Sequence, residues 1–94
     1  LFVMNDPLVH AESAKFAARV LATTADEQAR LDAAYQIAWN RSPAPDEQQE
    51  SADFLKQYQA RLTELKTPSD QAELKAWSAL ARALMSSNEF IYVD

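Results

Sequence analysis

Glycine is absent from all 94 residues of this sequence, and its absence limits the backbone conformations that the chain can adopt. Glycine is the residue that most readily takes positive φ angles and lets a ligand approach the backbone closely. Phosphate-binding loops, dinucleotide-binding fingerprints and helix–loop–helix calcium loops all need it, so none of them can be built here in its usual form. The tight turns of all-β folds also favour glycine. The sequence therefore predicts a helical chain.

Size, cysteine content and charge exclude further classes of protein. The chain is long enough for one small hydrophobic core, so residues 1–94 are predicted to form a single domain. The absence of cysteine excludes disulfides, thiolate zinc sites, iron–sulfur clusters and covalent haem attachment within this segment. A net charge of −5 without a basic cluster argues against nucleic-acid binding. No apolar run approaches the roughly 20 residues that span a bilayer, which argues against membrane insertion.

Proline and capping residues predict where the first two helices begin. Proline suits the first turn of a helix, where its missing N–H has no partner to lose. The first helix is therefore predicted to begin with Asp6 as N-cap and Pro7 at its first position, and to end before Thr24. A second helix is predicted to begin in a capping box formed by Thr24 and Glu27 and to run to about Trp39.

The segment WNRSPAPDEQQE, residues 39–50, is the clearest predicted break in the chain. Asn40 is expected to take the left-handed conformation that often ends a helix, since Asn is the best substitute for glycine there. Pro45 is predicted to open the third helix. Thr67 is predicted to cap a fourth helix, which is expected to stop near residues 86–88.

Each predicted helix carries apolar residues at a spacing that places them on one face. These residues are Val9, Phe16, Ala17, Val20 and Leu21 in the first helix, Leu31, Ala34, Tyr35 and Ala38 in the second, Leu55, Tyr58, Leu62 and Leu65 in the third, and Trp77, Leu80, Ala81 and Leu84 in the fourth. The pattern predicts an all-α fold, a small bundle of four main helices. The apolar run at residues 90–93 is predicted to fold back on this bundle, with Phe90 buried.

Three segments read together resemble a known family: LFVMNDPLV, AYQIAWNRSPAPDEQ and AWSALARALMSSNEFIYVD. They are similar to a planctomycete C-terminal domain of unknown function, which is found in large proteins that often carry a cytochrome-c-like haem domain. The positions that carry the resemblance are expected to be structural anchors; they are Asn5, Pro7, Tyr35, Arg41, Pro43, Trp77, Leu80, Asn88, Glu89, Phe90 and Tyr92. Asn40 replaces the glycine usual in the family, and Ala44 replaces its Ser or Thr helix cap.

The resemblance also implies a setting for the chain. Residues 1–94 would be the C-terminal end of a larger protein, and residues 1–4 would be the stub of a preceding helix. That protein would be exported to the periplasm or the cell surface. Upstream domains of the same protein would be the partners of this segment, and any haem would belong to one of those domains.

The residues that would carry acid–base or metal chemistry are a lone histidine and a row of carboxylates. His10 has no oriented partner in the pattern and is interpreted as structural or incidental. Asp46, Glu50 and Asp53 share a face of the third helix, with Glu47 beside them. Calcium needs about six to eight converging oxygens, whereas a row along one helix diverges into solvent. The acids are therefore interpreted as a complement to the helix dipole and as a solvated face.

Aromatic residues at helical spacing allow two interpretations. Tyr35, Trp39, Tyr58 and Trp77 could stack on a carbohydrate or another planar ligand. Aromatic side chains at such spacing belong more often to a hydrophobic core, and this is the interpretation we favour.

Arg41 has two candidate partners. It follows Trp39 closely, as Glu89 precedes Phe90, so an Arg41–Glu89 ion pair could join the second helix to the C-terminal tail. The alternative is a local pair between Arg41 and Asp46 or Glu47 across the loop.

These observations favour a non-catalytic helical module that packs against other domains, with no metal or cofactor of its own. One alternative is a segment that completes an enzyme active site shared with upstream domains. Another is a small ligand-binding or carbohydrate-binding domain with a pocket lined by Trp39 or Trp77.

Overall fold

A computed structural model describes residues 7–87 and shows them as four α-helices without a strand. The helices are α1 (Pro7–Thr23), α2 (Glu27–Trp39), α3 (Pro45–Glu64) and α4 (Ser69–Met85). The all-α bundle predicted from the sequence is confirmed. The expected stub at residues 1–4, the Asp6 cap and the tail with Phe90 lie outside the described residues.

The central element of the bundle is α4, which packs against all three other helices. Its buried residues occupy most of its circumference and include five alanines; they are Ala72, Ala76, Trp77, Ser78, Ala79, Leu80, Ala81, Ala83 and Leu84. Small side chains let neighbouring helices approach closely, because the distance between two helix axes depends on the residues at the contact. By contrast, no Cα atom of α1 lies within 8 Å of one in α3. These two helices are held together through α4.

The apolar stripes that the sequence predicts for α2 and α4 lie in the core, together with Ala17, Val20 and Leu55 from α1 and α3. Leu31, Ala34, Tyr35 and Ala38 are all buried, as are Trp77, Leu80, Ala81 and Leu84. The prediction for Leu65 was wrong, because α3 ends at Glu64 and Leu65 lies 67% exposed at the helix end.

Two predicted helix caps are displaced from their observed positions. The N-cap of α2 is Asp26, whose Oδ2 accepts a hydrogen bond from the Ala29 N–H at 2.9 Å, so the predicted Thr24–Glu27 capping box was wrong. Thr24 instead accepts a bond from the Asp26 N–H through its side-chain oxygen. The helix begins at Glu27 because the aspartate outcompetes the threonine as the residue that satisfies the first free N–H groups.

Thr67 does not cap α4, because the helix begins at Ser69 with Pro68 as its N-cap; the backbone N–H of Thr67 instead closes α3. It donates to the Leu62 carbonyl at 3.0 Å, while the Lys66 N–H donates to the Thr63 carbonyl at 2.9 Å. These two bonds form a Schellman motif, in which the residue after the cap takes a left-handed conformation. Lys66 does so with φ 60°, and Pro68 becomes the N-cap of α4. Asn40 has φ 57°, so the left-handed conformation predicted for it is confirmed.

Replacing Lys66 by glycine is expected to stabilise the protein. A side chain in the left-handed region is strained by its Cβ atom, and glycine removes that strain at a helix end. We expect Lys66→Gly to raise the free energy of unfolding by about 0.5–1 kcal/mol in urea denaturation. The matched control is Lys56→Gly inside α3, which is expected to lower it by about 1 kcal/mol. Equal destabilisation by both variants would contradict the assignment.

Candidate functional site at the α2–α3 junction

Trp39, at the C-terminal end of α2, joins this helix to the end of α4. Its indole Nε1–H donates a hydrogen bond to the Leu84 carbonyl at 3.1 Å. Leu84 lies in the last turn of α4, and its carbonyl also accepts a hydrogen bond from the Ser87 N–H at 3.2 Å. The Trp39 ring also meets the Tyr35 ring edge-to-face, with centroids 4.9 Å apart and planes at 81°. The indole therefore both binds a backbone carbonyl at the C-terminal end of α4 and packs against the core.

Arg41 lies directly after the left-handed residue Asn40 and pairs with Glu47 in the first turn of α3. Its Nη1 and Nη2 atoms donate to the two carboxylate oxygens at 2.6 and 2.8 Å, a bidentate geometry. The guanidinium carbon also lies 5.1 Å from the centre of the Trp39 ring. The local alternative from the sequence, Arg41 with Glu47, is confirmed. The Arg41–Glu89 pair lies outside the described residues.

Glu47 also holds the start of α3. Its Oε1 accepts a hydrogen bond from the Ala44 N–H at 2.9 Å. Ala44 is the N-cap and makes no side-chain hydrogen bond to the helix, because alanine has no side-chain acceptor. A capping box has two reciprocal bonds, one from the N3 backbone N–H to the N-cap side chain and one from the N-cap backbone N–H to the N3 side chain. Only the second forms here, with Glu47 as the N3 residue. Hydrogen bonds from Arg41 and from the Ala44 N–H lower the pKa of Glu47 to about 2.

Tyr35 and Ser51 connect α2 with α3 beneath the ion pair. Their hydroxyl groups lie 2.8 Å apart in a buried hydrogen bond, in which either can be the donor. Tyr35 is 3% exposed and Ser51 is 1% exposed. Burial raises the pKa of the Tyr35 phenol, and the nearby Glu47 carboxylate raises it further. Tyr35 therefore stays protonated and Glu47 stays ionised near neutral pH.

We call Tyr35, Trp39, Arg41, Glu47 and Ser51 the junction cluster. A general acid or base works best when its pKa lies near the working pH. In the junction cluster, the pKa of the carboxyl is far below neutrality and that of the phenol is above its ordinary value. The arrangement is suited to holding three helices in register.

The structure brings together only some of the predicted anchors. Tyr35 and Arg41 belong to the junction cluster, and Pro43 lies half-buried in the loop beside it. Trp77 and Leu80 are buried in α4, whereas Pro7 is exposed at the start of α1. The remaining anchors lie outside the described residues: Asn5, Asn88, Glu89, Phe90 and Tyr92.

Two contributors were missed by the sequence analysis as parts of one site. Ser51 lies one helical turn after Glu47, and Trp39 lies one turn after Tyr35. These paired spacings are a signal that could have indicated two facing stripes. The bond from Trp39 to a backbone carbonyl has no such signal, because every residue carries a carbonyl.

The other candidate residues are distributed over the surface and the core. His10 is exposed on α1, and the side chains of Asp46, Glu50 and Asp53 are exposed along α3. Within residues 7–87, no group of three or more His, Cys, Asp or Glu residues is placed to hold a metal ion. Tyr35 and Trp77 belong to the core, as predicted for them, and Trp39 and Tyr58 pack against it. None of the helices described has the length and apolar character to cross a bilayer.

Comparison with protein-family models, curated proteins and solved structures finds no match to this chain.

Lowering the pH is expected to weaken the junction cluster. The pKa of Glu47 is depressed in the folded state, so its stabilisation is full above the ordinary value and is lost as the pH falls towards about 2. Arg41 is 38% exposed, and solvent screening limits the effect to about 1–2 kcal/mol. We expect Glu47→Gln to lower the free energy of unfolding at pH 7 by this amount. We also expect the free energy of unfolding of this variant to fall less than that of the wild type between about pH 5 and pH 2.

The control for this measurement is Glu50→Gln, the same change at an exposed position of α3. When urea denaturation is measured at several pH values, the free energy of unfolding of this variant is expected to fall with pH as it does in the wild type. Parallel curves for wild type and Glu47→Gln would show that the ion pair does not stabilise the fold.

A double-mutant cycle on Tyr35 and Ser51 is expected to give a coupling energy for their hydrogen bond. Tyr35→Phe and Ser51→Ala each remove one partner, and each is expected to lower the free energy of unfolding by about 1–2 kcal/mol. The double variant is expected to lose less than the two single losses combined, because the second change removes a group already left without its partner. Strict additivity would mean that the two hydroxyl groups do not interact.

Proposed function

We propose that this chain is a non-catalytic helical module that packs against, and organises, other domains of a larger protein. The junction cluster is the observation that carries the proposal. Its ionic, phenolic and indole groups bind one another or the ends of helices, so they fix the positions of α2, α3 and α4. A module of this kind presents a rigid surface to a neighbour.

A second polar contact supports the same interpretation. Arg30 of α2 donates through Nε to the Thr24 carbonyl at 2.5 Å and through Nη2 to the Leu21 carbonyl at 3.1 Å. Its Nη1 lies 3.6 Å from the Glu73 carboxylate of α4. The Arg30 guanidinium therefore binds carbonyls at the C-terminal end of α1 and complements the negative end of that helix dipole. Helix α1 has no basic residue in its own last turn. Both described polar sites are used to join helices.

The family resemblance supplies the setting for this proposal. Three of the residues on which the resemblance to the planctomycete C-terminal domain rests, Tyr35, Arg41 and Trp77, lie in the junction cluster or the core. On this resemblance, the partner is an upstream domain of the same exported protein. Haem, if that protein carries it, belongs to the upstream part, as does any catalytic activity.

Deleting the module from the larger protein tests its role. We expect removal of residues 1–94 to lower the melting temperature of the remaining protein, because a surface that the module covers becomes exposed. Adding the separately produced chain is expected to restore part of that loss. The matched control is the chain carrying Leu80→Asp, which places a charge in the core and is expected to abolish folding and rescue.

The same experiment separates the proposal from a shared active site. A remainder that keeps its melting temperature but loses turnover would show that residues 1–94 complete the catalytic site. A remainder that keeps both would show that the module does not organise the other domains.

A further inference from the structure

An open groove of about 350 Å³ runs along the side of α4 that faces away from the core. It exists because α1 and α3 pack on α4 without approaching each other, so α4 forms the floor and the other two helices form the walls. Its principal lining residues are His10 from α1, Tyr58 from α3, and Leu74, Lys75, Ser78 and Arg82 from α4. We call this the α4 groove. It is separate from the junction cluster, with which it shares no residue.

The charge of the α4 groove is opposite to that of the chain. The sequence has 14 acidic and nine basic residues, yet the groove lining includes Lys75, Arg82 and the single histidine, and no acid. Among residues 7–87, no carboxylate pairs with Lys75 or Arg82. The charged carboxylates of a partner would complement these side chains.

Arg82 has a side-chain donor that the described part of the chain leaves unsatisfied. Its Nε atom is buried and has no hydrogen-bond partner among the described residues. A buried donor without an acceptor is unfavourable, and native structures rarely leave one unsatisfied. Because Nε is enclosed, a partner carboxylate would reach this guanidinium through its outer Nη atoms, the atoms through which Arg41 binds Glu47 elsewhere in the fold.

The remaining surface of the groove is apolar. Leu74 is 39% exposed, although it lies on the most buried helix of the bundle. Ala14 and the Tyr58 ring face the same space, and Phe54 stacks on Tyr58 with ring centroids 5.8 Å apart. From Leu74 to Arg82 the floor extends about 12 Å, which matches roughly two turns of a helix. The groove therefore combines the apolar surfaces of Leu74, Ala14 and the Tyr58 ring with the cationic side chains of Lys75 and Arg82.

From these features we infer that the α4 groove binds an acidic amphipathic helix of a protein partner. Apolar side chains of that helix would cover Leu74 and Tyr58, and its Asp or Glu side chains would pair with Lys75 and Arg82. This inference rests on the proposed role as an interaction module and identifies the surface used. An acidic segment is specified because the groove supplies cations and the rest of the chain repels acids.

A charge-swap experiment on the full chain tests the inference. The probe is a synthetic 15-residue helical peptide with leucines on one face and glutamates flanking them, and binding is followed by amide NMR shifts and fluorescence anisotropy. Lys75→Glu is expected to weaken binding at least about tenfold and to create binding to the same peptide with lysine in place of glutamate. Lys75 is exposed, so this variant is expected to fold.

The matched control is Lys56→Glu, the same change on the exposed surface of α3 and outside the α4 groove. It is expected to leave the affinity for the glutamate peptide within about twofold, since rim charges away from the contact add little. Equal weakening by both variants would show that only the net charge of the chain matters, and this would overturn the inference. Equal affinity for a peptide with glutamines in place of the glutamates would show that the carboxylates are not recognised, which would overturn it as well.

Other occupants give distinct results, and each would overturn the inference. Free glutamate that shifts the same resonances as the peptide, at an equal carboxylate concentration, would identify a small-molecule site. Peptide affinity that rises at least about tenfold after removal of residues 88–94 would identify the chain's own acidic, apolar tail as occupant. Groove shifts that depend on protein concentration alone would identify a second copy. None of these outcomes alters the melting temperatures on which the proposed module role is judged.

Discussion

The burial of α4 on most of its circumference is the constraint on which the rest of the structure depends. Alanines such as Ala76 and Ala79 let backbones approach, while Trp77, Leu80 and Leu84 fill the spaces that remain. Since α1 and α3 have no close backbone contact with each other, they share a core only because both pack on α4. A large residue at an alanine position would therefore displace more than one helix, and a cavity at Leu80 would affect the whole bundle.

Polar contacts fasten α2 to both ends of α4 and so determine its direction. Arg30, near the start of α2, lies beside Glu73, and Trp39, at its end, donates to the carbonyl of Leu84. The two helices thus run parallel, although nothing in apolar packing alone requires that direction. Hydrogen bonds are directional and apolar contacts are not, so the bonds select one arrangement among several that would bury similar area. The junction cluster then carries this arrangement across the loop to α3.

The residues that were predicted correctly are those whose physical reason is local. Proline at a helix start, and Asn40 at a helix end, act through their own backbone preferences, so the sequence alone identifies them. Arg41 and Glu47 were paired correctly as an alternative because only a short loop separates them. Lys66 could not be predicted, since a chain without glycine must place some other residue in the left-handed region and lysine has no tendency to adopt it. Contacts from Arg30 and Trp39 to distant backbone carbonyls escaped prediction because carbonyls are common to all residues.

The division of α4 into a structural side and an open side has a consequence for recognition. The ion pair of Arg41 and Glu47 largely cancels its own field, so the junction cluster attracts a charged partner weakly. Lys75 and Arg82 have no ion-pair partner among the described residues, so their charges are not cancelled in this way and can attract an acidic partner. Stability depends on one set of α4 residues, with Leu80 and Leu84 among them, whereas the inferred partner would be selected by another. On the inferred use of the α4 groove, substitutions at the exposed Lys75 would change binding without changing how the chain folds.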